Sequence, residues 1–201
     1  AKNNLKTLLV DEKNELGGAT IYQNKEFNKI DNQSSSDWIK KEIQELKNIK
    51  NLEVKTRTSV AAFHGYNYLL ARENLTDHLE KKDKQGKVRQ KLLKIRAKKV
   101  ILATGALERP LIFNNNDRPG IMLSSAVNKY ADFYGVVSGK KNVFFTNNDS
   151  AYESAICLHN KGIKVEAVID IRENSNSNIV KAVENAGIKI LWSHTIVNTK
   201  G

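Results

Sequence analysis

The run Leu8-Leu9-Val10-Asp11-Glu12 joins an apolar segment to two acidic side chains. An apolar segment that stops abruptly at charged residues is typical of a buried parallel strand that ends in a loop. Carboxylates in that position accept hydrogen bonds from the ribose hydroxyls of a dinucleotide when a glycine-rich turn lies about 20 residues earlier. The sequence has no such turn before Leu8. Two solvated acids in a loop are therefore the plain alternative for Asp11 and Glu12.

Lys13, Gly17 and Gly18 follow the two acids closely. A lysine there could reach a pyrophosphate or a 2′-phosphate, and otherwise it is simply solvated. Glycine lets a backbone come close to a ligand, and it also tolerates the positive φ of an ordinary turn. Both alternatives stay open for these residues.

A second apolar run, Val100-Ile101-Leu102, leads into Ala103-Thr104-Gly105. We expect residues 99–103 to form a buried strand, so that small residues lie where the backbone passes close to another group. The Thr104 hydroxyl could then hydrogen-bond a phosphate or a flavin-like ligand. Following an acid-ended strand, Ala-Thr-Gly and then Arg109-Pro110 match the layout of flavin- and nicotinamide-dependent two-domain reductases.

The loop Thr146-Asn147-Asn148-Asp149 lies between a predicted strand and a predicted helix. A second glycine-rich fingerprint would belong at this point. Bulkier side chains block the approach of a pyrophosphate, and Asp149 adds negative charge at a helix N-terminus that would otherwise attract one. We therefore expect no dinucleotide here and interpret Asp149 as the N-cap of the following helix.

The remaining periodicities predict an α/β chain. The predicted strands cover residues 5–10, 52–57, 59–64, 66–72, 87–96, 142–146, 164–170 and 188–192, and the predicted helices cover 34–49, 122–134, 150–160 and 176–186. The first part thus contains a strand, a helix, a β-meander and a closing strand, and the part after Gly120 is a βαβαβ unit. We expect two domains, residues 1–120 and 121–201.

Composition and charge limit the class of protein. The chain has 201 residues and a net charge of +11, but its charge-dense stretch, residues 81–99, lacks interleaved aromatic residues and an arginine-rich recognition helix. The single cysteine, Cys157, excludes an internal disulfide framework. No apolar run reaches the length that a bilayer requires. We expect a cytoplasmic protein that binds neither nucleic acid nor membrane.

Candidates for catalysis are few. The four histidines, His64, His78, His159 and His194, lack metal-ligand spacing, and Cys157 has no second cysteine for redox work. We interpret Cys157 as a small buried filler in a helix. The sequence therefore predicts neither a catalytic residue nor a metal site.

Three segments resemble the alpha subunit of heterotetrameric sarcosine oxidase. They are ATGALERPLIF at residues 103–113, NDRPGIM at 116–122 and FTNNDSAY at 145–152. Val-Asp-Glu at 10–12 and Gly-Gly at 17–18 match as well, so the similarity spans essentially the whole chain. It does not span the whole family subunit, whose amino-terminal glycine-rich loop and carboxy-terminal folate-binding region lie outside these residues.

The resemblance implies an α/β, FAD/NAD(P)-binding flavoprotein-like fold with two dinucleotide domains, here truncated, and with a β-meander. It also implies an oxidoreductase that demethylates sarcosine to glycine, releases hydrogen peroxide and transfers the one-carbon unit to tetrahydrofolate. In that family the alpha subunit assembles with beta, gamma and delta subunits. The complete complex holds FAD, FMN and tetrahydrofolate, and the alpha subunit holds NAD.

The resemblance further implies a cofactor site within this sequence. Asp11 and Glu12 would bind the adenosine ribose of NAD with Lys13 beside them, and the backbone at Val60 would meet the adenine. The other residues implied to line the cofactor are Gly17, Gly18, Ala19, Ala103, Thr104 and Gly105. This region would contribute binding and architecture, while the chemistry takes place elsewhere.

Two alternatives accompany this interpretation. The acid-ended strand could hold FAD in a subunit of another amine or proline dehydrogenase, or the fold could persist as a scaffold with an empty nucleotide site. Because the 201 residues lack a glycine-rich loop, we expect this piece alone to bind NAD weakly and to be inactive.

Overall fold

A computed structural model describes residues 3–22 and 28–200 of the chain. The chain divides into two compact units, one of residues 1–21 and 35–105 and the other of residues 22–34 and 106–201. Each unit contains a parallel sheet of its own. The domain boundary that the sequence predicts at residue 120 stays a prediction.

Ten strands and five α-helices are found in the described residues. The strands are β1 (Thr7–Val10), β2 (Lys29–Ile30), β3 (Gln33–Ser34), β4 (Leu52–Lys55), β5 (Thr58–His64), β6 (Tyr68–Asn74), β7 (Gln90–Arg96), β8 (Lys141–Thr146), β9 (Lys164–Asp170) and β10 (Lys189–Trp192). The helices are α1 (Ser35–Leu46), α2 (Lys81–Lys84), α3 (Ser124–Phe133), α4 (Ser150–Asn160) and α5 (Asn178–Asn185). Two short 3₁₀ helices cover Gly18–Tyr22 and Gly65–Asn67.

The parallel sheet of the first unit has two strands. β1 pairs with β4, and α1 lies between them in the sequence, as a parallel pair requires. The apolar residues Trp38, Ile39, Ile43 and Leu46 recur at helical spacing on α1 and are half-buried. The predicted strand and amphipathic helix are thus confirmed, and the carboxyl ends of β1 and β4 lie at the same edge of the sheet.

β5, β6 and β7 form the predicted β-meander, with antiparallel pairing throughout. Leu69 and Ala71 on the central strand are 7% and 0% exposed, which identifies the face turned toward the interior of the unit. The register of β5 against β6 shifts between Val60 and Ala62. Such a shift marks a β-bulge, which increases the local twist of the strand.

The buried strand predicted at residues 99–103 is wrong. No residue from 97 to 113 belongs to a strand, and the side chains of Ile101 and Leu102 are 90% and 70% exposed. A strand persists only where a neighbouring strand pairs its N–H and C=O groups. The composition of this run suits a strand, but none of the described strands pairs with it.

The second unit contains a three-stranded parallel sheet with the order β10-β9-β8. α4 and α5 connect its strands in the sequence, which confirms the predicted βαβαβ unit. The apolar core of the unit gathers the buried side chains of Phe144, Ala151, Tyr152, Ala155, Ile156, Leu158, Val165, Val168, Ile179, Val180, Val183 and Ile188. This core holds the carboxyl ends of the three strands at one edge.

β2 and β3 form a short antiparallel hairpin that belongs to the second unit. The side-chain amide of Asn28, just before β2, donates a hydrogen bond of 3.1 Å to the carboxylate of Glu153 on α4. The hairpin is thereby tied to the helix, although the two partners are 125 positions apart in the sequence.

Candidate nucleotide site

Backbone hydrogen bonds to residues at the end of β4 and at the start of β5 hold the loop that follows β1. The Asp11 N–H donates to the carbonyl of Lys55 at 2.9 Å, and the Thr58 N–H donates to the carbonyl of Asp11 at 2.9 Å. The Arg57 N–H donates to the carbonyl of Lys13 at 2.7 Å. The backbone that carries Asp11, Glu12 and Lys13 is therefore fixed at the carboxyl edge of the sheet.

The two acids in this loop have different surroundings. Oδ1 of Asp11 accepts the backbone N–H of Lys13 at 2.9 Å, and Asp11 is half-buried. This short-range bond shapes the turn, as Asp side chains commonly do. Glu12 is exposed, and no described residue pairs with its carboxylate. Glu12 is therefore the acid whose two oxygens are available to a ligand, a distinction that the sequence alone does not make.

The glycine pair also divides into two roles. A Cβ placed on Gly17 would lie 2.7 Å from Cγ1 of Ile21 and 3.1 Å from Cγ1 of Ile39, and its φ is +116°. Gly17 is thus required by packing against α1 and by its own backbone conformation. A Cβ on Gly18 would meet no described atom within 4 Å. The open side of the turn lies at Gly18 and at the exposed Ala19.

Val60 lies on β5 near the acid loop. The Thr58 N–H is bonded to Asp11, and Val60 follows two residues later at the start of the bulge. The side chain of Val60 is 46% exposed. The structure thus brings the residues predicted for ribose and adenine onto adjoining chain segments.

Ala103, Thr104 and Gly105 do not join this arrangement. All three are exposed, and none of them forms a hydrogen bond with another described residue. Gly105 has a φ of +72°, which glycine adopts without strain. Because residues 99–103 form no strand, the predicted position of these three residues at the end of a buried strand is wrong.

An open cavity of about 440 Å³ lies at the opposite end of the same sheet, lined by residues 4, 6, 7 and 50–53. These residues lie at the amino ends of β1 and β4. Ligands of parallel sheets bind at the carboxyl ends of the strands. The cavity is therefore separate from the candidate site.

In the second unit, the turn between β8 and α4 is filled by its own side chains. Oδ1 of Asn148 accepts the N–H of Ser150 at 2.9 Å and its hydroxyl at 2.6 Å, and the Thr146 hydroxyl donates to the Asn148 carbonyl at 2.8 Å. Asp149 occupies the predicted N-cap position of α4, but its side chain makes no capping hydrogen bond. Its Oδ1 instead lies 2.8 Å from Nη2 of Arg172.

Asp170, the last residue of β9, is fully buried in an ion pair. Nη2 of Arg172 donates to its Oδ2 at 2.7 Å, Nε donates to its Oδ1 at 3.1 Å, and the Tyr152 hydroxyl donates to Oδ2 at 2.8 Å. Burial by itself would raise the pKa of Asp170, but the hydrogen bonds from Arg172 outweigh it and lower the pKa. This strand-end carboxylate is thus occupied by the chain, unlike that of Glu12.

Sequence reasoning missed this network. The signal was present, because Asp170 ends a predicted strand and Arg172 follows two residues later. What the sequence could not supply was Tyr152, which comes from the facing side of α4.

Glu108 is a second residue that sequence reasoning missed. Its Oε1 accepts the N–H of Ser124 at 3.0 Å and its hydroxyl at 2.7 Å, and its Oε2 accepts the N–H of Ser125 at 2.8 Å. These bonds fall on the first turn of α3, where backbone N–H groups lack helical partners. Glu108 therefore caps α3 from outside the helix.

The remaining sequence candidates for chemistry stay without a site. Cys157 is half-buried, and its thiol lies 3.5 Å from Oδ2 of Asp132. Burial raises the pKa of Cys157 to about 11, with Asp132 adding to the shift, so the thiol stays protonated at neutral pH.

Within residues 3–22 and 28–200, His, Cys, Asp and Glu form no group of three that could hold a metal ion. Those residues also contain no helix with the length and apolarity of a membrane span.

Comparison with known proteins gives a consistent set of relatives. The chain is 38% identical over 200 residues to "Sarcosine oxidase subunit alpha" of Corynebacterium sp. (strain P-1), and 37% identical over 200 residues to that of Corynebacterium sp. (strain U-96). It is 35% identical over 167 residues to the protein of the same name from Rhizobium meliloti (strain 1021). The two Corynebacterium alignments cover 100% of this chain and 20% of each relative. The chain thus spans about a fifth of the length of these relatives. No family model matches the chain.

Among solved structures, the crystal structure of L-proline dehydrogenase from P. horikoshii matches with a TM-score of 0.64 and 25% identity. The match covers 88% of this chain and 33% of that one. The chain therefore has the predicted α/β fold of FAD/NAD(P)-binding flavoproteins. The resemblance to the alpha subunit of sarcosine oxidase, first inferred from the residues, is confirmed along the whole chain by its relatives.

Proposed function

We propose that this chain is the nucleotide-binding region of an alpha subunit of a sarcosine oxidase and that it binds NAD. The proposed whole enzyme oxidatively demethylates sarcosine to glycine, releases hydrogen peroxide and passes the one-carbon unit to tetrahydrofolate. Its partners are beta, gamma and delta subunits in the cytoplasm, and the complete complex holds FAD, FMN and tetrahydrofolate. The similarity to three alpha subunits supports this proposal.

The observation that carries the proposed NAD site is the state of Glu12. Its carboxylate is exposed and has no described partner, while its backbone lies between Asp11, which is bonded to Lys55 and Thr58, and Lys13, which is bonded to Arg57. A carboxylate presented from a fixed backbone can accept hydrogen bonds from both ribose hydroxyls. The residues present therefore fit the adenosine part of a dinucleotide.

The other residues of the site take supporting roles in this proposal. Asp11 shapes the loop, and Lys13 lies beside the phosphates. The turn at Gly18 and Ala19 leaves open space for the pyrophosphate, because no atom of a described residue lies within 4 Å of a Cβ built on Gly18. The exposed backbone segment at Val60 meets the adenine.

The exposed segment Ala103-Thr104-Gly105 does not join the acid loop, so its place beside the cofactor stays a prediction. None of the proposed site residues transfers a proton, so this region binds and orients the cofactor. NAD, when bound, would supply a nicotinamide ring able to accept hydride.

We further propose that the second unit binds no dinucleotide. The side chain of Asn148 satisfies the N–H of Ser150 at the start of α4, which a pyrophosphate would otherwise meet. The carboxylate of Asp170 is buried beneath Arg172 and Tyr152, so it cannot reach a ribose.

The alternative cofactor is FAD. The match to L-proline dehydrogenase favours it, because the acid-ended strand of a flavoprotein dehydrogenase can hold the same adenosine group. Both cofactors would use Glu12, and they differ in colour and mass.

The test uses the purified protein that carries this sequence, with the variant Glu12→Gln. The nucleotide released on denaturation is identified by mass spectrometry and by visible absorption. We expect NAD and no flavin from this site, and an affinity loss of roughly tenfold to a hundredfold in Glu12→Gln, because two charge-assisted hydrogen bonds weaken.

Glu53→Gln is the matched control, since Glu53 lies on β4 of the same sheet and is 61% exposed. It should keep full nucleotide occupancy. Unchanged occupancy in Glu12→Gln would refute the assigned ribose contact, and recovery of FAD with loss in the variant would favour the alternative cofactor.

A further inference from the structure

The three strands of the β-meander present an outer face opposite the buried Leu69 and Ala71. The register pairs Tyr68 with both His64 and Arg96, so these three side chains lie side by side on it. The outer face comprises Ser59, Ala62, His64, Tyr68, Leu70, Arg72, Asn74, Gln90, Leu92, Lys94 and Arg96. It contains no acidic residue.

The positive charges of the outer face are unpaired. Arg72, Lys94 and Arg96 are all exposed, and none of them forms an ion pair with a carboxylate in the described part of the chain. Elsewhere in the same unit, cations do find partners. Lys55 lies 3.2 Å from Glu73, and Arg89 lies 2.6 Å from Asp77. The outer face thus concentrates cations that repel one another and lack local compensation.

Apolar and aromatic groups are interleaved with these charges. Leu92 is 63% exposed on the edge strand β7. The guanidinium of Arg96 lies 5.6 Å from the centre of the Tyr68 ring, and the His64 ring lies 6.0 Å from it. Tyrosine and arginine are enriched at the centres of protein–protein interfaces. This combination of exposed cations, an aromatic ring and an apolar side chain is typical of a protein-binding surface.

We propose that the outer face of the β-meander docks an acidic surface of another subunit. Carboxylates of the partner would pair with Arg72, Lys94 and Arg96, and its apolar side chains would cover Leu70 and Leu92. The partner's status as a subunit rests on the proposed function, whereas the acidic chemistry rests on the charges of this face.

A protein partner fits this face better than a nucleic acid does. Single-stranded nucleic acids stack their bases on open aromatic rings. The Tyr68 ring is already covered by Arg96, and the exposed Leu92 offers nothing to a phosphate backbone.

The test compares two charge reversals in the protein that carries this sequence, co-purified with its subunit partners. The first variant is Arg72→Glu/Lys94→Glu/Arg96→Glu. The control is Lys40→Glu/Lys41→Glu/Lys47→Glu, which changes the net charge equally at exposed lysines on or next to α1. Subunit affinity is measured at several salt concentrations, and the nucleotide content and the thermal transition of each preparation are recorded.

We expect the first variant to weaken assembly by roughly tenfold or more, with loss of the wild-type salt dependence, while nucleotide content stays unchanged. The control should assemble as wild type does. A milder set, Arg72→Gln/Lys94→Gln/Arg96→Gln, decides the outcome if the reversal impairs folding.

Assembly equal to the control would overturn the docking proposal. If the wild type and the control bind a labelled single-stranded oligonucleotide and the first variant does not, the docking proposal is overturned in favour of a nucleic-acid partner. Loss of the bound cofactor from the first variant would contradict the proposed nucleotide site, since none of its three substituted residues belongs to that site.

Discussion

The variant Arg172→Ala should destabilise the second unit strongly, because it leaves the carboxylate of Asp170 buried without a counter-ion. Asp170 is 0% exposed, and its pairs with Arg172 are charge-assisted hydrogen bonds of 2.7–3.2 Å. Removing one partner of a buried pair costs about 3–5 kcal/mol. The side chain of Arg172 is 29% exposed, so water would partly replace it, and the lower end of that range, about 3 kcal/mol, applies.

Hydrogen exchange of peptides that cover β9 and α4 measures this local loss. A change of about 3 kcal/mol corresponds to exchange roughly a hundredfold faster when the amides open through unfolding of this unit. The matched control is Arg89→Ala, which breaks the exposed pair of Arg89 with Asp77, where the arginine side chain is 76% exposed. An exposed pair contributes at most about 1 kcal/mol, so the control should change exchange far less.

The effect of Arg172→Ala should also depend on pH with a definite sign. In the wild type the pKa of folded Asp170 is lowered, so its ion pair contributes stability above the ordinary pKa of an aspartate and loses it as the pH falls through the lower folded value. In Arg172→Ala the hydrogen bonds from Tyr152 and from the backbone N–H of residue 172 remain, but they offset burial less fully, so that pKa rises. The difference between wild type and variant should therefore shrink as the pH falls from 7 toward 4. Equal exchange in Arg172→Ala and Arg89→Ala, or a difference that grows in acid, would refute the buried-pair reasoning.

Three further outcomes follow from the geometry. Gly17→Ala should destabilise the first unit by about 1–3 kcal/mol in thermal or urea unfolding, since its Cβ would lie 2.7 Å from Ile21, whereas Gly18→Ala meets open space and carries only the backbone strain of its positive φ. Glu108→Gln should weaken the cap on α3; burial raises the pKa of Glu108, but the bonds from Ser125 and Ser124 outweigh it and lower that pKa. Relative to the intrinsic exchange rate at each pH, the protection of wild-type α3 amides should therefore fall as the pH drops through the lowered value, and Glu108→Gln should lack this step. Cys157 should react with a maleimide far more slowly at pH 7 than glutathione does, because burial raises its pKa to about 11; reaction at the rate of glutathione would contradict the assigned environment.

Much of the fold could be predicted from the sequence because local patterns suffice for local elements. The alternation along 87–96 and the apolar spacing of α1 correspond to structures held mainly by neighbouring residues. The run 99–103 shows the limit of this reasoning. Its apolar residues are typical of a strand, but a strand also requires a paired edge, and no pattern within the run itself reveals whether one is present.

For the candidate site, the sequence by itself determined which residues to consider: the acids after β1, the glycine pair and the Asn-Asn-Asp turn. Only the tertiary structure decided their states, because burial and hydrogen bonding depend on distant segments. Lys55 and Thr58 fix the loop that exposes Glu12, and the carboxylate of Asp149 pairs with Arg172 and does not cap α4. Carboxylates that look alike in the sequence therefore differ, since the free energy of each depends on which donors the fold brings within hydrogen-bond distance.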